Sequence, residues 1–173
     1  MRALLTAFSL ALVLGSIGSA NAQAQAWIEV RPQGGGYRVE MPGTPAISSE
    51  TVNLPGGRST QMIQAVFEIA EAAFFSSHAD YPADMMLGRA PDMVLDNVMQ
   101  GAAAGHTLRS QRRMTIGGHP GREYVVAQAN GFVLVTRIVL VGNRLFQIIV
   151  VRSRVEVHPD TQKFLDSFAL TAR

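Results

Sequence analysis

Apolar and polar residues alternate in several runs of the chain from residue 27 onward, and this period of two is typical of half-buried β-strands. Two short alternating runs, 27–30 and 37–41, lie on either side of a glycine-rich turn and predict a hairpin. Residues 48–54, 60–70 and 72–78 predict three further strands. The first half of the chain is therefore expected to consist of β-hairpins.

The second half of the chain predicts an antiparallel meander. Strands are expected over residues 108–116, 123–129, 132–141 and 145–151. Asn130-Gly131 and Gly142-Asn143 separate the last three strands, and such dipeptides are typical of two-residue hairpin turns. The last two strands are apolar at nearly every position, which predicts that they lie in the middle of a sheet with both faces covered.

Two segments have the features of helices. A proline–aspartate pair at residue 91 suits the first turn of a helix, and the apolar spacing behind it predicts a helix over residues 91–104. A second such pair at residue 159 precedes an apolar stripe formed by Phe164, Leu165 and Phe168. The order of elements predicts the α+β class, with an antiparallel β-sheet and helices packed on its faces.

The N-terminus has the features of a secretory signal peptide. Arg2 precedes an apolar run that is shorter than the roughly 20 residues needed to span a bilayer. Small residues then fit a cleavage site after Ala22 or Ala24. We therefore expect residues 1–22 to be a signal peptide and residues 23–173 to form a single α+β domain. That domain is expected to be periplasmic or secreted, with no membrane span after cleavage.

Composition excludes several classes of function. The 173 residues include no cysteine, which excludes disulfide scaffolds, thiol catalysis and thiolate metal sites. Fifteen basic and thirteen acidic residues give a net charge of +2, and no run of like charge is longer than Arg112-Arg113. We therefore expect no nucleic-acid partner and no attraction to an anionic membrane surface.

Residues 117–124 (GGHPGREY) suggest either a ligand-binding loop or a tight turn. A glycine-rich loop that holds an anion is followed directly by a helix, whereas a strand is predicted behind this segment. We therefore interpret Gly117, Gly118 and Gly121 as backbone bends of a turn between two strands.

No catalytic or metal-binding motif is present in the sequence. The four histidines, at positions 78, 106, 119 and 158, lack the spacing typical of zinc ligands, and no serine lies in a G-x-S-x-G motif. A catalytic triad assembled from separate loops leaves no such local pattern. We expect no catalytic residue, no metal ligand and no cofactor.

The most suggestive polar residues lie within the meander. If its first turn has two residues, Tyr124 pairs with Arg137, and one face of the sheet carries Arg122, Tyr124 and Arg137. The other face then carries Glu123 and Gln147. The first set is a candidate binding patch for an anion or a peptide. Alternatively, Arg137 lies over the Tyr124 ring with its charged end in water.

The order of elements and several short motifs resemble a known family. These motifs are Pro-Gly at 42–43, Asp-Tyr-Pro at 80–82, Gly-His-Pro-Gly-Arg-Glu at 118–123 and Lys-Phe-Leu-Asp-Ser-Phe at 163–168. They resemble the PsbP/DcrB-like family of exported bacterial domains, over nearly all of the chain that follows the signal peptide. The resemblance implies a PsbP-like α/β sandwich, an antiparallel sheet with helices on its faces. It supplies no catalytic residue and no cofactor.

Two hypotheses for the function follow. The first is an exported, non-enzymatic binding or assembly protein with a protein or peptide partner in the cell envelope. The second is a small periplasmic hydrolase with a site assembled from separate loops. A cleft in which a histidine is hydrogen-bonded to a serine or a carboxylate would favour the hydrolase.

Overall fold

The computed structural model describes residues 26–153 and 160–171, and antiparallel strands dominate this part of the chain. Three short helices accompany the strands. The elements in chain order are β1 (Ile28–Val30), β2 (Tyr37–Met41), β3 (Ala46–Leu54), β4 (Arg58–Ile69), β5 (Ala72–Asp80), α1 (Ala83–Met86), α2 (Pro91–Ala103), β6 (Thr107–Ile116), β7 (His119–Ala127), β8 (Phe132–Val141), β9 (Arg144–Ser153), α3 (Asp160–Ser167) and β10 (Ala169–Leu170).

Seven strands form one antiparallel sheet in the order β3-β4-β5-β9-β8-β7-β6. The predicted central position of the two most apolar strands is confirmed, because β9 is the middle strand and β8 lies beside it. The predicted N-terminal hairpin is also confirmed, as β1 and β2 pair antiparallel. This hairpin belongs to a second sheet, β1-β2-β10, which the sequence pattern did not indicate.

The two faces of the large sheet carry different cores. We call the side on which α2 packs the α2 face, and the opposite side the α3 face. On the α3 face, side chains such as Phe74 and Ile148 pack against α3 and the small sheet. On the α2 face, Tyr124 and Ile138 pack against Leu95 of α2. The predicted α+β class with an antiparallel sheet is confirmed, but the helices form only part of the covering layers.

The first turn of the meander is longer than predicted. Three residues, Ala129 to Gly131, form the loop, and the backbone N–H of Gln128 donates to the carbonyl of Phe132 at 2.8 Å. Gly131 has φ +89°, as in three-residue loops that end in a left-handed residue. The asparagine–glycine pair thus predicted the position of the turn correctly, but the predicted length of two residues was wrong.

The additional loop residue shifts the pairing of β7 with β8 by one position. Glu123 pairs with Arg137, and Tyr124 pairs with Thr136, so the predicted pairing of Tyr124 with Arg137 was wrong. Successive side chains of a strand point to opposite faces of the sheet. The shift therefore places Arg137 on the face opposite Arg122 and Tyr124. The predicted pairing of Arg137 with Ile148 across β8 and β9 is confirmed.

The segment GGHPGREY contains a shorter turn than expected. Only Gly117 and Gly118 form it, with φ of +57° and +81°, and Ile116 pairs directly with His119. Gly121 is not a bend, because it lies inside β7. A Cβ atom at this position would be 2.7 Å from the carbonyl oxygen of Ile138. Gly121 therefore permits close approach of two strands.

The predicted signal peptide, both of its cleavage positions and His158 lie outside the described residues. Within the described ranges, no helix is long and apolar enough to cross a membrane.

Candidate functional site

The α2 face is only partly covered, because one helix is too narrow for a seven-stranded sheet. Seven strands span on the order of 29 Å, whereas a helix with its side chains is about 10–12 Å wide. Helix α2 packs on β7 and β8. Within the described residues, α2 has no comparable contact with β4, β5 or β9, so it leaves their faces on this side of the sheet without α2 above them.

This uncovered region is a cleft of about 610 Å³. The strands form its floor and α2 forms one wall. Apolar lining side chains include Leu54, Met62, Val98, Val126 and Ile149. Small-molecule sites in proteins usually have volumes of about 300–1,000 Å³. The cleft is thus large enough to hold a small organic ligand.

Three polar side chains cross the floor of the cleft, and we call them the polar row. Gln64 of β4 pairs with Ser77 of β5, which in turn pairs with Gln147 of β9. Paired residues on one face of antiparallel strands have Cβ atoms about 5 Å apart. The polar row is therefore about 10 Å long.

Apolar side chains flank the polar row on both sides. Met62, Ala79 and Leu145 occupy the neighbouring cross-strand positions on one side. Phe75 and Ile149 occupy those on the other side. Of these residues, Met62, Phe75 and Ile149 line the cleft, so its floor has apolar side chains on both sides of the polar row.

The polar row retains unused hydrogen-bonding capacity. Gln64 Nε2 donates to Ser48 Oγ at 3.1 Å. The side chains of Ser77 and Gln147 have no hydrogen-bond partner among the residues that the structure describes. Ser77 is largely buried and Gln147 half-buried, so both can serve a ligand in the cleft.

The lining of the cleft carries no formal charge. None of its lining residues in the described ranges is an aspartate, glutamate, lysine or arginine. His106 lies at the cleft and is exposed to solvent. Tyr124 also lines the cleft; burial raises the pKa of its phenol, which is hydrogen-bonded to Thr136 and stays neutral. The site is suited to an uncharged ligand.

Arg122 of β7 forms ion pairs with α2, and we call these contacts the Arg122 clamp. Its Nε and Nη2 atoms lie 2.7 Å from carboxylate oxygens of Asp96 and Asp92, which are one helical turn apart on α2. Its Nη1 donates to the carbonyl of Gly121 at 3.0 Å. The side chain is only 3% exposed, and hydrogen bonding to Arg122 lowers the pKa of Asp92. The guanidinium group of Arg122 therefore binds groups of the protein itself.

Arg137 belongs to a separate ion-pair network on the α3 face. Its Nε lies 2.5 Å from Glu123 Oε2, and its Nη1 lies 2.7 Å from Asp166 Oδ1 of α3. Glu123 also accepts from Arg112 Nε at 2.8 Å. Burial opposes ionisation of Glu123, but the two arginines hold its pKa below the usual 4.5. This network links β6, β7 and β8 to α3.

The structure does not bring the three residues of the predicted patch together. Arg122 and Tyr124 lie on the α2 face, whereas Arg137 lies on the α3 face, because the turn has three residues. The alternative placement of Arg137 over Tyr124 was wrong for the same reason. Glu123 and Gln147 likewise lie on opposite faces. Of the predicted patch, only Tyr124 lines the cleft.

Sequence reasoning did not indicate the cleft. The available signal was Gln147, the one polar residue within the apolar run 145–151, whereas Gln64 and Ser77 have other polar residues near them in their strands. The alignment of these three side chains depends on the pairing of β5 with β9, strands that are distant in the chain. That pairing could not be counted outward from a hairpin turn.

The histidines provide no sign of a catalytic pair. His78 lies in the core of the α3 face beside the Tyr37 ring, and burial followed by the charge of Arg144 lowers its pKa. Across the described ranges, no histidine is hydrogen-bonded to a serine or a carboxylate. Ser77 and His106 both line the cleft without a hydrogen bond between them. The described residues also contain no group of three or more side chains suited to a metal ion.

Comparison with solved structures returns proteins of similar fold. The chain is similar to cyanobacterial PsbP (CyanoP) from Synechocystis, with a TM-score of 0.47 and 15% identity, over 91% of this chain and 98% of that one. It is also similar to a protein of unknown function from Pseudomonas aeruginosa, with a TM-score of 0.35 and 12% identity, over 73% of this chain and 83% of that one. The first is a protein of the family that the sequence resembles. These likenesses concern the fold alone.

No family model and no curated protein matches the chain.

Proposed function

We propose that this protein is an exported, non-enzymatic binding module that holds an uncharged, largely apolar ligand in the cleft on its α2 face. The observation that carries the proposal is a cleft of about 610 Å³ whose lining, in the part of the chain that the structure describes, includes no aspartate, glutamate, lysine or arginine. A binding protein of this kind would act as an accessory factor in the cell envelope by carrying or presenting its ligand.

Physical chemistry supports an uncharged ligand over a charged one. Transfer of an ion from water into a site without a countercharge is costly, whereas burial of apolar surface contributes about 25 cal/mol per Å². The arginines of the two ion-pair networks are engaged with carboxylates of the protein. Neither network offers a free cation to an anionic ligand.

A rigid scaffold also supports the proposal. We propose that the layers amount to a PsbP-like α/β sandwich, with α2 on one face of the large sheet and α3 with the small sheet on the other. The Arg122 clamp holds one wall of the cleft at a set distance from its floor. A preformed cleft of this kind reduces the entropy lost on binding.

Fluorescence of the neutral probe N-phenyl-1-naphthylamine tests the proposed site. We expect saturable enhancement with the purified protein, at a stoichiometry of one. Ala102 of α2 lines the cleft and is half-buried, so Ala102→Phe should weaken binding of the probe at least tenfold.

Gln100→Phe is the matched control, because Gln100 is exposed on the same helix and does not line the cleft. Its dissociation constant for the probe should stay within twofold of the wild type. Equal loss of binding in both variants, or no binding to the wild type, would contradict the proposal.

A further inference from the structure

We propose that the polar row selects a ligand with a carboxamide group on an apolar chain. This inference rests on the proposed function and assigns the chemical class of its ligand. The group would lie over Ser77 and Gln147, and the chain would extend along the apolar side chains that flank the row.

The hydrogen-bonding groups of the row match those of a carboxamide. A glutamine side chain offers a carbonyl acceptor and an N–H₂ donor, and a serine hydroxyl both donates and accepts. A carboxamide likewise offers an acceptor and N–H donors, so each of its polar atoms can find a partner. An ester or an ether lacks the donor and would leave part of the row unpaired.

Ser77 and Gln147 have no side-chain hydrogen-bond partner within the described ranges, and this makes the selection strong. A buried polar group without a partner disfavours any ligand that covers it with hydrocarbon. An apolar ligand would cover both side chains and leave them unsatisfied. A carboxamide instead can hydrogen-bond to both side chains.

The uncharged lining separates the carboxamide from its charged analogues. A carboxylate has the acceptors but no donor, and an ammonium has the donors but no acceptor. Either ion would enter a site whose lining holds no countercharge within the described residues. The cleft is therefore expected to bind the carboxamide more tightly than either the carboxylate or the ammonium compound.

The dimensions of the floor suit a chain of moderate length. Met62 lies on one side of the row and Phe75 and Ile149 lie on the other, and all three line the cleft. An extended chain of eight carbons is about 10 Å long, which matches the length of the row between its outer strands.

Displacement of N-phenyl-1-naphthylamine by three eight-carbon compounds at pH 7.4 tests this selection. Octanamide, octanoate and octylammonium share the chain and differ in the polar group. We expect octanamide to displace the probe with a dissociation constant at least tenfold lower than either charged compound. Ser77→Ala and Gln147→Leu should each reduce the preference for octanamide over the two charged compounds at least fivefold, with each dissociation constant corrected for the affinity that the variant itself has for the probe.

Gln61→Leu is the matched control for Gln147→Leu, because Gln61 is exposed on the opposite face of β4. It should retain the full preference for octanamide, and circular dichroism checks that every variant is folded. Equal displacement by the three compounds, a charged compound binding best, or loss of the preference in Gln61→Leu would overturn the carboxamide assignment. Equal displacement, or loss of the preference in Gln61→Leu, leaves the proposed function standing, whereas a charged compound binding best would also contradict the proposal of an uncharged ligand. Failure of the probe to bind would instead refute the proposed function and this inference with it.

Discussion

Replacement of Glu123 by glutamine is expected to destabilise the fold by about 2 kcal/mol. The side chains of Arg137 and Glu123 are 6% and 18% exposed, so the ion pair between them is mostly shielded from water. Removal of one partner from a fully buried ion pair costs about 3–5 kcal/mol. The cost is lower here because Arg137 retains Asp166, whose side chain is 57% exposed.

The opposite substitution should cost less. Arg137→Met removes the buried charge and fills much of the same volume, while Glu123 retains Arg112 and some contact with water. We expect a loss of about 1 kcal/mol. Glu29→Gln is the control, since Glu29 and its partner Arg31 are 41% and 58% exposed. An exposed pair of this kind should contribute less than about 0.5 kcal/mol.

Urea unfolding followed by circular dichroism measures all three variants. The midpoint should fall most for Glu123→Gln, less for Arg137→Met and least for Glu29→Gln, at a constant slope with denaturant. The reasoning is refuted if Glu123→Gln is no more destabilising than Glu29→Gln. It is also refuted if Arg137→Met costs more than Glu123→Gln, because the charge of Arg137 would then not depend on Glu123.

Three further predictions concern pH, close packing and export. The pKa of Glu123 is lowered in the folded state, so its contribution to stability is present above pH 4.5 and is lost as the pH falls through the folded value. The difference in unfolding free energy between the wild type and Glu123→Gln should therefore shrink on acidification from pH 5 to about pH 3, and a growing difference would contradict the assignment. Gly121→Ala should lower the unfolding free energy by about 1–3 kcal/mol in urea titrations, because its Cβ would lie 2.7 Å from the carbonyl oxygen of Ile138, and an unchanged midpoint would count against the close approach. N-terminal sequencing of the protein from the cell envelope should begin at residue 23 or 25, and a start at Met1 would show that no signal peptide is removed.

Local patterns predicted most of the secondary structure. Alternation marked several strands of the large sheet, and continuous apolar runs between turns marked β8 and β9. The proline–aspartate pairs marked the starts of α2 and α3 within a residue or two. These signals are local, since strand periodicity and the first turn of a helix depend on neighbouring residues. Strand β10 has only two residues, and α1 has four, so neither is long enough to produce a period.

The register depended on a single turn, and there local reasoning was wrong. Asn130-Gly131 is typical of two-residue turns, but the loop has three residues. A shift of one residue moved Arg137 to the opposite face and separated the members of the predicted patch. The turn at Gly142-Asn143 has two residues, and the pairing predicted from it was right.

The cleft could not be predicted because it arises from incomplete coverage of a sheet. Its position depends on the pairing of β5 with β9 and on where α2 lies across the strands. Neither feature leaves a local pattern in the sequence. Gln147, the one polar residue within the apolar run 145–151 of β9, was the sign that something polar faces that side of the sheet.

Methyl chemical shifts measured by NMR during titration with N-phenyl-1-naphthylamine test most directly that the cleft on the α2 face is the ligand site. We predict shifts concentrated at Met62, Val126 and Ile149, which line the cleft. The methyl groups of Met41 and Val139, in the core of the α3 face, should remain unchanged. Shifts concentrated on the α3 face, or no shifts at saturating probe, would contradict the central claim.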